Sequence, residues 1–352
     1  LAIRSSTIDL QSYSYIRRKR ADDNLLKDGD KHLPQDSRSI YGGQAVIEGV
    51  MFAGKHVNVT AVRRKNDEIV FYEVPRTSKS WIQALKKIPL VRGVVGLLES
   101  SAKGSQHLNF SMEAYAEDEA GEETKDQFSK EAPVAKEEKK QGWSLSMIVG
   151  VAVAGVLSFI FGKLIFTAAP AAIEELLFSG VFENKIGHNL LEGLIKIILL
   201  LAYLYFISMT PLIKRLFQYH GAEHKVISAY EAGEELTIRN VQKYSRLHYR
   251  CGSSFIVFTV IVGVVIYSLP FFTWDSIWER IYIRILLLPL VLGLSYEVLR
   301  WTNALREIPV LRYLGFPGLW LQLLTTKEPR DEQVAVSIAS FNRMLELDKQ
   351  TK

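Results

Sequence analysis

The chain has 352 residues, of which 48% are hydrophobic and 23% charged, and its formal net charge is +5. The apolar residues gather in a few long runs and the charges fill the rest, which excludes a disordered chain, a fibrous repeat and a disulfide scaffold. A single cysteine, Cys251, excludes an intrachain disulfide, and the basic residues flank apolar runs, the pattern of a membrane protein under the positive-inside rule rather than of a nucleic-acid binder.

Residues 1–40 are polar and carry the cluster Arg17-Arg18-Lys19-Arg20. They predict a flexible cytosolic tail, either simply solvated or touching anionic lipid. They lack an apolar run, so no cleavable signal peptide is expected.

Residues 41–112 predict a small cytosolic α+β module. Val57-Asn58-Val59-Thr60-Ala61-Val62, the polar turn Lys65-Asn66-Asp67-Glu68 and Ile69-Val70-Phe71-Tyr72-Glu73-Val74 read as a β-hairpin, with a third short strand before it. So small a sheet needs a helix or a second domain to cover it. The glycines of Gly42-Gly43-Gln44-Ala45-Val46-Ile47-Glu48-Gly49 permit tight turns, but the segment lacks the pattern of a phosphate-binding loop. Its Glu48 is a candidate to complete a site with the 214–252 loop. After Pro89 the apolar spacing fits an amphipathic helix interrupted by Arg92, Glu99 and Lys103, placed on the bilayer surface or against the sheet. Residues 113–142 hold ten acids and five lysines with almost no large apolar side chains, and predict a disordered acidic linker.

Four apolar runs follow, at about 144–169, 190–213, 253–274 and 281–299, each long enough to cross a bilayer as a helix of roughly 20 residues. The expected fold is therefore an α-helical polytopic membrane protein with about four transmembrane helices and the small cytosolic α+β module at its N-terminal end. Two spans fall in 143–213 and two in 253–299. Trp143, Trp274, Trp278 and Trp301 sit at run ends, as in an interfacial aromatic belt. The connection 214–252 carries seven Lys and Arg, whereas 170–189 carries only Lys185 and 275–280 only Arg280. This bias puts the module, the 214–252 loop and both termini in the cytoplasm of a multi-pass plasma-membrane protein. Residues 300–352 are expected to form cytosolic or interfacial helices, with 331–347 amphipathic. Ile308-Pro309-Val310-Leu311-Arg312 echoes Ile88-Pro89-Leu90-Val91-Arg92.

The chemistry concentrates in the 214–252 loop. His220-Gly221-Ala222-Glu223-His224 is H-x-x-E-H, which on a helix puts both imidazoles and the carboxylate on one face. Two imidazoles one turn apart bind a metal, and the adjacent carboxylate serves as general base toward water, the order used by inverted zinc peptidases. His248 and Cys251, three residues apart, add further donors, and Glu231 is a candidate supporting carboxylate. The donor set suits zinc or another first-row divalent metal. Binding by all four of His220, His224, His248 and Cys251 makes a closed structural site, while binding by three leaves a position for water. A buried inert thiol at Cys251 is the alternative. Glu192, Lys196 and Arg284 lie within apolar runs, with Glu192 and Lys196 spaced to pair, and suggest a transport path.

The runs GGQAVIEGVMFAGK (42–55), IPLVRG (88–93), HGAEHKVISAYEAGEELTIRNV (220–241), HYRCGSSF (248–255) and LTTKEP (324–329) occur in one order. Together they make the chain resemble, over roughly 41–345, the YqhQ-like family of bacterial polytopic membrane proteins of unknown function. Some members carry the label of predicted metal-dependent enzymes. What the resemblance implies maps here to His220, Glu223, His224, His248 and Cys251. The expected function is a metal-dependent, hydrolytic membrane enzyme at the cytoplasmic face. The alternatives are a non-enzymatic scaffold or biogenesis factor with a structural metal, and a transporter. The bilayer, a membrane-protein partner or a second copy are the expected partners, and nucleic acid is not.

Overall fold

The computed structural model describes residues 41–350 except 78–79, 128–161, 163–165, 167, 179, 182–184, 270, 273–274, 306–307 and 309. The expected tail at 1–40, most of the first apolar run and residues 128–142 of the acidic stretch lie outside the described residues. The described chain is mostly helical, with one small sheet near its N-terminal end.

The sheet is an antiparallel meander of β1 (Gly42–Val46), β2 (Gly49–Ala53), β3 (Val57–Arg63) and β4 (Ile69–Pro75), in that order. The glycine-rich segment is thus itself a hairpin: Val46 pairs with Gly49, and Ile47-Glu48 make the turn. Glu48 sits at φ 52°, a left-handed conformation for a residue with a Cβ, so composition alone did not mark the turn. Side chains alternate cleanly. Val50, Phe52, Val59, Ala61, Ile69 and Phe71 face one core, while Val46 and Val62 face the other.

The first face is covered by α4 (Pro211–Glu231) and α10 (Asp331–Gln350), through Tyr219, Ala222 and Val226 and through Val334, Ile338, Phe341 and Met344. Ser340 Oγ donates to the Val50 carbonyl at 2.9 Å across 290 residues of chain, and Asp348 accepts from the amides of Lys55 and His56 at 2.7 and 2.8 Å. The cover the sheet needs therefore comes from the far end of the chain, and the sheet module is not closed by residues 41–112.

The second face is covered by α2 (Val91–Gln127), which follows the short α1 (Ser80–Leu85). The helix does not stop at the expected boundary at 112; it continues through 113–127. The acids read as a solvated linker meet the basic β3–β4 turn: Arg64 pairs with Glu117 at 2.9 Å and Asp118 at 2.8 Å, and Lys65 with Glu119 at 2.8 Å. Near the middle of α2, His107 is buried with its Nδ1 2.6 Å from Thr60 Oγ1. Burial lowers its pKa from 6.5 to about 4. An unfolded chain then binds more protons than the folded one between these values. Stability from the neutral ring is complete above about pH 6.5 and is lost as pH falls toward 4. Melting temperature is expected to fall across that window, and less steeply in His107→Gln. Equal slopes would contradict a neutral buried ring.

The apolar part holds α3 (Lys185–Ile207), α6 (Ser254–Tyr267), α7 (Ile277–Leu286), α8 (Leu288–Ala304) and α9 (Phe316–Thr325), with α5 (Ile238–Gln242) in the connection before α6. Among the described residues, Ile186–Ile207 is long and apolar enough to cross a membrane, and α7 with α8 passes the same test as a pair bent by 52°. The second apolar run ends at Ile207 rather than 213, because Pro211 at the first turn of α4 starts a new helix. The fourth breaks at Leu287 just before Pro289 for the same reason. The third is helical over only 14 described residues.

Glu192 pairs with Arg284 and with Arg280, the latter at 2.5 Å, and Arg280 also reaches Glu174 at 3.1 Å. Arg284 further donates to Asn189 at 3.1 Å. These buried charges tie α3 to α7. Glu297 on α8 accepts from Arg92 Nε at 2.7 Å and so docks the start of α2 on the apolar helices.

Candidate metal centre

The centre lies on the buried half of α4. Between Tyr219 and Ala229 every residue but the half-buried His220 and Ser228 is buried, because α4 is wedged between the sheet and the chain after α9. His220 Nδ1 lies 2.8 Å from the Thr325 carbonyl, and His224 Nδ1 lies 2.6 Å from the Arg246 carbonyl. A carbonyl only accepts, so each Nδ1 carries the proton and each Nε2 keeps its lone pair. Those lone pairs are turned toward the thiol: His220 Nε2 is 3.2 Å from Cys251 Sγ. One ligand atom from each of His220, His224 and Cys251 falls within 4.8 Å of the other two. Two imidazoles anchored by outer hydrogen bonds and converging on a sulfur is the arrangement metal sites use to fix ligand orientation.

The sulfur is buried and sits 3.0 Å from Ser253 Oγ, with the Ser253 amide donating to it at 3.4 Å. Burial lowers the His224 pKa and so favours the neutral ring, and the neighbouring Cys251 opposes that shift.

His248 stands beside the trio rather than in it. Its ring is 5.7 Å from that of His224, and its Nε2 is 3.7 Å from Glu231 Oε2. Gln322 clamps its backbone, accepting from the His248 amide and donating to its carbonyl, both at 2.8 Å. Glu231 also pairs with Arg250. Of the four expected ligands, then, the structure brings three together and holds the fourth nearby.

Glu223 is buried, at 5% exposure, in the same helical turn as His224. Burial raises its carboxyl pKa, opposed by His220, by His248 and by the Gly43 amide, which donates to it. A Cβ on Gly43 would lie 2.9 Å from the Glu223 side chain, so glycine is what lets β1 close over this carboxylate. The glycine-rich segment thus borders the candidate centre. Glu48 meets the 214–252 segment one turn before the trio and not at the trio itself: it accepts from Arg215 Nε at 2.5 Å and Tyr219 Oη at 3.2 Å, pinning the β1–β2 turn to α4.

Sequence reasoning also missed the strap 325–329. Its Lys327 amide donates to the Phe217 carbonyl at 2.8 Å, and a Cβ on Gly221 would meet the Lys327 oxygen at 2.2 Å. Arg246 donates to the Thr326 carbonyl at 2.6 Å, and Lys225 pairs with Glu328. The available signal was the run LTTKEP itself, which periodicity assigns no role.

The chain is 54% identical over 308 residues to "Uncharacterized protein YqhQ" of Bacillus subtilis (strain 168), an alignment covering 88% of this chain and 93% of that relative. No solved structure matches the chain. The family described as "Protein of unknown function (DUF1385)" matches residues 88–347, which include α4, Cys251 and the strap. By that match and by its likeness to YqhQ, the chain belongs to the DUF1385 family of proteins of unknown function.

Proposed function

We propose that the chain is a multi-pass plasma-membrane protein whose cytoplasmic face carries a zinc-dependent hydrolytic centre. The observation that carries this reading is the convergence of His220, His224 and Cys251, with both Nδ1 atoms tied to carbonyls. Two imidazoles and one thiolate suit zinc, and three protein ligands are the number found in catalytic rather than structural zinc sites. A zinc ion in such a site supplies Lewis acidity and makes a water acidic near neutral pH. The chain's own contribution is positional. The Thr325 and Arg246 carbonyls hold the imidazoles, and the protein packed around α4 excludes bulk water. Glu223 is the proton acceptor, its raised pKa bringing it closer to the range in which a general base works at neutral pH. The membrane reading draws on the outward faces of the apolar helices, where Leu190, Leu194, Ile198 and Phe206 are all exposed. The lysine and arginine bias of 214–252 supports the cytoplasmic side.

The second reading is a scaffold whose closed structural site takes His248 as a fourth ligand, favoured by the nearness of that ring to His224. Transport is less well supported, because Glu174 and Glu192 balance Arg280 and Arg284 in a buried clamp between helices.

Metal analysis of the detergent-purified chain tests the centre. About one equivalent of zinc is expected in the wild type and a residual trace in His220→Ala/His224→Ala. Equal metal in the two would refute the assignment. Cysteine labelling in cells tests the membrane reading: a cysteine at 235 should be protected from an impermeant reagent and one at 180 should react. The reverse pattern would invert the topology.

A further inference from the structure

The second face of the sheet ends in a cavity that the metal reading leaves unused. It measures about 560 Å³ and lies between β2–β3, the first half of α2 and the C-terminal end of α8. Arg76, Lys86, Arg92, Lys103 and Arg300 line it, against one lining acid, Glu99. Glu99 takes Lys86 and, at 2.6 Å, Lys103; Glu297 takes Arg92 and lies 3.8 Å from Arg300. Arg76 spends one N–H on the Gly54 carbonyl at 2.7 Å. Among the described residues, four of these five cations thus share two carboxylates and Arg76 meets a carbonyl, an excess that an anion inside the cavity would neutralise. A second observation comes from the lining itself. Asn58, only 3% exposed, is part of it, and among the described residues its Oδ1 is buried without a hydrogen-bond partner. Buried amides are seldom left unsatisfied, and a protonated ligand oxygen or a ligand-held water would complete this one.

We propose that this cavity is a binding site for a phosphate group, carried either by a phospholipid headgroup or by a soluble phosphorylated compound. Arginine forks match phosphate oxygens bidentately, and three of the five cations are arginines. The position fits a headgroup: Arg300 lies near the C-terminal end of the apolar helix α8 and is followed by the exposed Trp301, an interfacial residue by type. The phosphate site stands independently of the metal centre; only its lipid source rests on the membrane reading.

The test uses the full chain purified in detergent, with three probes: inorganic phosphate, nanodiscs of phosphatidylglycerol and nanodiscs of phosphatidylcholine. Calorimetric titration reads the first, and retention of lipid in native mass spectrometry reads the others. Preferential retention of phosphatidylglycerol assigns a lipid headgroup, and saturable binding of inorganic phosphate assigns a soluble ligand. Either is expected to weaken at least about tenfold in Arg76→Gln/Arg300→Gln, since each substitution removes a charge-assisted contact. Lys86→Gln serves as the second variant if the double one does not fold, as judged by its melting curve. The proposal is overturned if phosphatidylglycerol is held no better than phosphatidylcholine while inorganic phosphate does not bind, or if binding is unchanged in the folded variants.

Discussion

Glu223→Gln is expected to keep the metal and the fold and to abolish function. The substitution preserves size and leaves a carbonyl oxygen to accept the Gly43 amide, so β1 stays closed over the side chain. It removes the one basic carboxylate in the turn that carries both imidazoles. Loss of a positioned general base costs on the order of 10²–10⁴ in rate. A strain lacking the gene should therefore not be rescued by Glu223→Gln, although the purified variant holds wild-type zinc. His220→Ala should lose both. The structural-site reading predicts the opposite split: Glu223→Gln would rescue fully, while His248→Ala would lose metal as completely as His220→Ala. Full rescue by Glu223→Gln would end the enzymatic account.

Gly221→Ala is expected to damage the centre without touching a ligand. Its new methyl would meet the Lys327 carbonyl at 2.2 Å, and that oxygen is backbone, so the strap 325–329 must move. Thr325, whose carbonyl orients His220, belongs to the same strap, as does Thr326, which accepts from Arg246. Overpacking of this kind costs about 1–3 kcal/mol of stability, and loss of an outer hydrogen bond on a metal-bound imidazole costs about 10- to 100-fold in metal affinity. Competition with a zinc chelator reads the second effect and a melting curve the first. A variant with wild-type zinc affinity would show that the strap does not orient His220.

The two halves of the centre were legible to different degrees. H-x-x-E-H fixes its own geometry, since helical spacing puts His220, Glu223 and His224 on one face whatever surrounds them. Cys251 was legible as a donor from the crowding of donors in 214–252. Its choice over His248 was not, because that depends on Gln322 clamping the His248 backbone from 74 residues away. Hydrogen bonds across such separations leave no periodic mark. The sheet shows the same limit. Residue types around a polar turn marked β3 and β4, but the β1–β2 turn is made by Ile47 and Glu48, which are not turn residues by type. Nor does anything local announce that α10 covers this sheet, or that the acids at 117–119 are ion-paired to Arg64 and Lys65. Those residues looked like a linker because their partners lie some fifty positions earlier.

The central claim is an open zinc site with three protein ligands, and X-ray absorption at the zinc edge of the purified chain tests it most directly. The account predicts one sulfur at about 2.3 Å, two imidazole nitrogens at about 2.0–2.1 Å and a further light oxygen ligand. The spectrum should be unchanged in His248→Ala and should lose its sulfur shell in Cys251→Ser. A third imidazole that vanishes in His248→Ala would establish a closed structural site, and a protein that binds no zinc would contradict the account altogether.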